Sequence, residues 1–227
     1  MPELPAPVLI EPERPAGKRR PYANLYRFGG DGPRPRVMYL GGAINRTVYE
    51  ERRKTPPTAV ATAFASARER VGLKSVDLVC CPCPLDTDGL GLEWILDHAD
   101  EISEVAGDPT ALVAVGYSAG AAYATTLALL DERARAVGFF GAADVPGTLG
   151  QLRPFLEKWA RDGRAPLPAA YFVNTGDPVC AGDTAWMRPY ADAISFRVER
   201  GLGSHPFVDY DRNAFVSGAF AFVLSHL

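Results

Sequence analysis

Long hydrophobic runs are missing from this 227-residue chain. No stretch approaches the ~18 consecutive apolar residues of a bilayer-spanning helix, so no membrane span is expected. A basic surplus is missing too: 24 Lys and Arg against 27 Asp and Glu leave a formal charge of −3. That balance gives no electrostatic ground for nucleic acid or an anionic membrane as partner. Cysteine is scarce. Cys80, Cys81 and Cys83 crowd into VCCPCP and Cys180 stands alone, with no second C-x-x-C or paired histidine to complete a metal site. These residues read as reduced thiols at the buried end of a strand. The acidic stretch Asp86–Glu93 lacks carboxylates in calcium-loop register. No G-x-G-x-x-G follows a strand-like run, so neither metal nor dinucleotide cofactor is expected. The first residues lack the basic start and apolar middle of a secretory signal; with Met1 as the natural start, the expected location is cytoplasmic.

What is present is enough apolar material for one sizeable core, 47% of the residues. The first 35 residues hold eight prolines and are expected to form an extended arm outside the core. From residue 36 to 227, apolar runs alternate with helical patterns. Strands are expected at Arg36–Leu40, Val76–Cys81, Ala111–Val115, Ala136–Phe140, Ala169–Val173 and Ile194–Val198. Helices are expected at Pro56–Gly72, Glu93–Val105, Ala119–Arg135, Leu149–Arg161 and Asp211–His226. This alternation predicts an α/β fold, a mostly parallel twisted sheet with helices on both faces. Sites in such sheets gather at the carboxyl ends of the strands.

One stretch carries chemistry at such an end. In LVAVGYSAGAAYAT, Gly116, Ser118 and Gly120 form G-x-S-x-G between an apolar strand and a helix of small residues. A nucleophilic serine there sits on a sharp turn, and side chains two residues to either side would clash. A tight packing turn would explain the same small residues, so Ser118 needs partners. It needs a base first, because its hydroxyl is a poor nucleophile until the proton is taken. His98 falls within a helical pattern and His226 is the penultimate residue. His205, in the loop GLGSHPF after the last strand, is at the right sheet edge. Asp177, in NTGDPV directly after a strand, is the preferred acid to orient it, with Asp144 the rival and Asp183 read as a surface residue. The order Ser118, Asp177, His205 is that of α/β-hydrolases. Oxyanion donors are expected from the backbone of Ala119 and from the loop after the first sheet strand, at Gly42 and Ala43 beside Gly41.

On these residues, 36–227 resembles an α/β-hydrolase-fold serine hydrolase. GYSAGAA and NTGDPVCAG are also similar to the nucleophile and acid segments of cutinases, a likeness that supports Ser118 and Asp177. The chain departs from cutinases in having Val173 in place of a disulfide cysteine, and Pro189-Tyr190 where the base segment would fall. An insertion over Ala191–Ser204 that includes a strand accounts for the later His205. The segment around Gly41-Gly42 is not cutinase-like, so cutinase substrate preference does not carry over.

The stretch 141–168 between two strands is too short for a large cap domain. Its helix offers Leu152, Phe155 and Trp159 either as a lid or as simple packing. Tyr117, Trp186 and Met187 are candidate substrate contacts. The charged run Glu50–Lys54 reads as a solvated surface. The leading expectation is a cofactor-free hydrolase that cleaves a small-molecule carboxylic ester or thioester through an acyl-enzyme. An acyltransferase or cyclase with the same triad, and a non-catalytic hydrolase-like binding protein, are the alternatives.

Overall fold

Short runs of Val, Ala, Phe and Cys with little charge suit strands covered on both faces, and the computed structural model gathers them into one sheet. It describes residues 3–11, 22–44, 46–84, 106–142, 148–179 and 194–227. Eight strands occur among these: β1 (Val8–Ile10), β2 (Ala23–Phe28), β3 (Arg36–Ile44), β4 (Val76–Pro84), β5 (Leu112–Tyr117), β6 (Ala134–Phe140), β7 (Leu167–Asn174) and β8 (Ile194–Gly201). They lie side by side in the order β1-β2-β4-β3-β5-β6-β7-β8. β3 to β8 are mutually parallel, and β2 pairs antiparallel with both β1 and β4.

The described helices are α1 (Arg46–Lys54), α2 (Thr58–Val71), α3 (Gly120–Leu130), α4 (Thr148–Arg161), α5 (Phe207–Arg212) and α6 (Phe215–Leu224). None is long and apolar enough to cross a membrane. Successive side chains of a strand point to opposite faces, so each central strand feeds two cores. Met38, Leu40, Val79 and Phe139 meet Leu127 of α3 and Trp159 of α4. Val37, Tyr39, Leu78 and Val115 meet Phe64 of α2 and Phe220 of α6. A fully buried Val, Leu or Phe side chain contributes about 1.5–3 kcal/mol, and both cores are built largely of such residues. Cys80 and Cys81 point one into each core. Burial pushes the Cys81 thiol up to about 12 and the Cys80 thiol well above its ordinary value, so both stay protonated.

Several boundaries differ from expectation, each for a local reason. The proline-rich start is not wholly outside the core. Ala23, Leu25 and Tyr26 of β2 and Ile10 of β1 are buried, and residues 8–10 and 22–32 contain no proline, which leaves their N–H groups available to the sheet. The helix expected to reach Arg135 ends at Leu130. There Asp131 binds the backbone N–H and the guanidinium of Arg133, closing a turn that sends the chain into β6. The final helix is two, parted by Ala214 in the left-handed region (φ 57°). The run Glu50–Lys54 belongs to α1, whose Tyr49 is buried and accepts from the Tyr22 hydroxyl at its carbonyl, 2.7 Å away. The helix expected at Glu93–Val105 and the stretch Asp86–Glu93 lie outside the described residues.

The expected loop at Gly41-Gly42 is instead a bulge within β3. Leu40 pairs with Cys81 and Ala43 with Cys83, so Gly41 and Gly42 together face the single residue Pro82. Proline has no N–H to offer a neighbouring strand, and an extra residue at a broken ladder bends the strand and re-aims the residues beyond it. The bend falls at the carboxyl end of β3, beside the carboxyl end of β5.

Candidate active site

The strand order reverses between β3 and β5: β4 lies to one side of β3, while β5 and its successors lie to the other. A crevice opens at the carboxyl ends of strands at such a point. Ser118 follows β5 there and takes a left-handed backbone (φ 53°), uncommon for any residue but glycine. Two close approaches hold this turn. A Cβ on Gly116 would lie 2.4 Å from Ala121 Cα, and one on Gly120 would lie 2.1 Å from the Leu40 carbonyl oxygen. The flanking glycines therefore let α3 start directly against both β5 and the end of β3.

Ser118 Oγ stands 3.0 Å from His205 Nε2. The other ring nitrogen, Nδ1, stands 2.7 Å from Asp177 Oδ2. Asp177 is buried, its side chain wholly so, while the His205 side chain keeps 24% of its exposure. Among the described residues, donors converge on the Asp177 carboxylate from His205 Nδ1–H and the Tyr210 hydroxyl on Oδ2 and from the Val179 N–H on Oδ1, the last at 2.8 Å. An ionised carboxylate, which only accepts, has lone pairs for these donors. With Nδ1 donating to Asp177, Nε2 carries a lone pair toward the serine hydroxyl.

Gly42 completes the crevice. A Cβ there would sit 3.2 Å from Ser118 Cβ and 3.1 Å from the Tyr117 ring, so the β3 backbone passes directly against the serine. Ala119 follows Ser118 as the N-cap of α3, and Ala43 lies one residue beyond Gly42, in register with Cys83. Ala119 and Gly42 thus flank Ser118, and Ala43 adjoins them.

Solved structures with the same architecture include S-formylglutathione hydrolases from Staphylococcus aureus and Agrobacterium tumefaciens. The first has a TM-score of 0.68 at 12% identity, over 96% of each chain. The second has a TM-score of 0.63 at 16% identity, over 96% of this chain and 94% of that one. The esterase domain of a Rhodothermus marinus protein matches at a TM-score of 0.61 and 14% identity, over 95% of this chain and 96% of that one. This chain has the α/β-hydrolase fold. At these identities the likeness is one of fold. No protein-family model matches the sequence, and no curated protein matches it.

Within the hydrolase fold, β8 is the segment that delivers His205. It pairs along β7 from Leu167/Ile194 to Asn174/Gly201, and the loop at its end turns back over the Asp177 turn. A Cβ on Gly176 would lie 2.7 Å from the Gly203 carbonyl oxygen, so glycine serves here for close approach between the two loops. Residues that sequence reasoning did not assign pin the His205 loop. Asn174 Nδ2 donates to the Ser204 carbonyl at 3.0 Å, Asn213 donates to Asn174 Oδ1 at 2.7 Å, and Asp209 accepts from the Ser204 N–H and hydroxyl. The Ser204 bonds hold the Asp209 carboxyl below its ordinary value. Tyr210, a few residues after His205 in the chain, is fully buried against Asp177. NTGDPV placed Asn174 beside the acid; nothing in the sequence linked Asp209 or Asn213 to it.

Tyr117 stands between roles. Its hydroxyl donates to the His205 carbonyl at 2.7 Å, and its ring stacks on the imidazole with centroids 5.6 Å apart. His226 bonds the Phe222 carbonyl at the end of α6, away from Ser118. Trp159 is core: it is 4% exposed, and its indole N–H donates to the Ala165 carbonyl. The side chains of Leu152, Phe155 and Cys83 lie outside the described residues, as do His98, Asp144, Cys180, Asp183, Trp186, Met187 and Tyr190. Among the described residues, no group of three or more His, Cys, Asp or Glu is disposed to hold a metal.

Proposed function

We propose that this protein is a serine hydrolase of small-molecule carboxylic esters or thioesters, with Ser118 as nucleophile, His205 as base and Asp177 as the orienting acid. The carrying observation is the chain of contacts from Ser118 Oγ to His205 Nε2 at 3.0 Å and from His205 Nδ1 to Asp177 Oδ2 at 2.7 Å. The esterase fold of its structural neighbours agrees with this reading.

In the first half-reaction His205 Nε2 takes the Ser118 proton as Oγ bonds to the acyl carbon. The carbonyl π-electrons move onto oxygen, which the N–H groups of Ala119 and of the Gly42–Ala43 backbone receive. Collapse of the tetrahedral adduct breaks the bond to the leaving oxygen or sulfur, and His205 hands that atom the proton. In the second half-reaction His205 takes a proton from water, the hydroxide attacks the acyl-enzyme, and Ser118 leaves with the returned proton. Asp177 stays ionised and stabilises the imidazolium throughout.

A fluorophosphonate probe followed by peptide mass spectrometry tests the assignment. The expected adduct is on Ser118 and disappears in Ser118→Ala. On a p-nitrophenyl ester, His205→Ala is expected to lose on the order of a thousandfold or more in kcat. A folded protein with no adduct on Ser118 would overturn the proposal.

A further inference from the structure

A groove of about 550 Å³ adjoins the crevice, within the range of small-molecule sites. Tyr117 and Phe207 form one wall, and Tyr39, Val48, Ala59 and Val60, from β3, α1 and α2, contribute further apolar surface. The first wall belongs to the candidate active site. The Tyr117 ring stacks on His205 and meets Phe207 edge-on at 5.7 Å, and Phe207 follows His205 by two residues. Two charged side chains among the described residues line the groove, Glu51 and Arg52, opposite in sign. The groove therefore offers an apolar surface with no net charge.

Its position selects which part of a substrate it takes. In the proposed reaction the carbonyl oxygen points to the backbone of Ala119 and Gly42. The leaving atom must lie within reach of His205 Nε2, since that nitrogen returns the proton. A group carried by the leaving atom then extends past the imidazole along its stacking partner, Tyr117, and onto Phe207. The geometry points to this groove as the leaving-group subsite, taking the neutral, apolar alcohol or thiol portion of the ester, of the size of a benzyl or hexyl group. The inference rests on the proposed function and narrows it: the substrate class is esters of bulky apolar alcohols or thiols, with recognition by burial rather than by charge.

Substrate pairs that move one phenyl group across the ester link test the inference. Wild-type enzyme is expected to prefer benzyl acetate over methyl acetate in kcat/KM by about tenfold or more, as burial of apolar groups gives. Ala59 and Thr58 line the groove from exposed positions on α2, so Ala59→Trp and Thr58→Trp fill it at sites where bulk is tolerated. Each is expected to lower the benzyl acetate to methyl acetate ratio about tenfold. The ratio of methyl phenylacetate to methyl acetate, which places the ring on the acyl side, is expected to move less than about threefold. Glu69→Trp, exposed on α2 and outside the groove, serves as control and leaves both ratios unchanged. If the groove variants lower the methyl phenylacetate ratio instead, or move neither ratio, the inference fails while Ser118 labelling and ester hydrolysis stand. Loss of labelling and of all ester hydrolysis in the wild type would instead overturn the reading beneath it.

Discussion

Tyr210 and His205 share one oxygen atom: the tyrosine hydroxyl and the imidazole Nδ1 each stand 2.7 Å from Asp177 Oδ2. Tyr210 is fully buried and its hydroxyl also accepts the Asn174 N–H at 3.2 Å. The tyrosine holds the carboxylate in place and draws off part of the negative charge that His205 meets.

Tyr210→Phe removes that donor and keeps the ring. The carboxylate then loses one of the donors that fix it and orients the imidazole less well. The expected outcome is a kcat/KM loss of about three- to tenfold, equivalent to ~1 kcal/mol, carried by kcat with KM little changed. A tyrosine that merely filled space would lower the melting temperature and leave kcat where it was, so kcat measured well below that temperature is the deciding measurement.

Gly120→Ala tests the close approach behind Ser118. Its Cβ would lie 2.1 Å from the Leu40 carbonyl oxygen and 2.4 Å from that of Gly41. Backbone atoms on both sides have nowhere to go without unseating β3 from α3. A loss of more than about 3 kcal/mol in urea unfolding is expected, or failure to fold. Gly30→Ala, with nothing within 4 Å of the new Cβ, is the comparison and should shift stability by less than about 1 kcal/mol. Equal effects at the two positions would refute the packing argument.

Asp131 supplies a pH-dependent term. Burial works to raise its carboxyl, and the hydrogen bonds and charge of Arg133 outweigh burial, so it titrates below its ordinary value of 3.8. A depressed carboxyl contributes stability that is present above the unfolded value and is lost as pH falls through the folded one. Arg133 is 38% exposed, and screening limits the contribution to roughly 0.5–1 kcal/mol. Asp131→Asn is expected to lower the unfolding free energy from urea denaturation by that amount at pH 7. The gap to wild type should close once the pH drops below the folded-state titration of Asp131. A gap that persists there would show that the carboxylate charge is not its source.

The parts of the molecule legible in the sequence are those fixed by local pattern. Uninterrupted apolar runs gave β5, β6 and β7 to within two or three residues, because strands buried on both faces need no polar alternation. G-x-S-x-G could be read because the turn at Ser118 excludes side chains at two set positions. His205 and Asp177 followed from their places after strands. β1 and β2 escaped notice because proline counts averaged over 35 residues hide short gaps that are free of proline. The bulge at Gly41-Gly42 depends on Pro82, a partner forty residues away across a strand ladder. Asp209, Tyr210 and Asn213 converge on the loop only through tertiary folding, and no spacing rule announces such a cluster.

The antiparallel pair at the start of the chain also acts as a guard rail. β2 pairs with β4 from Asn24/Cys80 to Phe28/Val76, and β1 pairs with β2 in turn. Stripped of residues before Arg36, the sheet would end at β4, with Val76, Leu78 and Cys80 next to an open row of hydrogen-bonding groups. An unpaired apolar edge of that kind recruits other chains. Trimming the proline-rich start would thus leave a protein inclined to self-associate, although no residue near Ser118 had been touched.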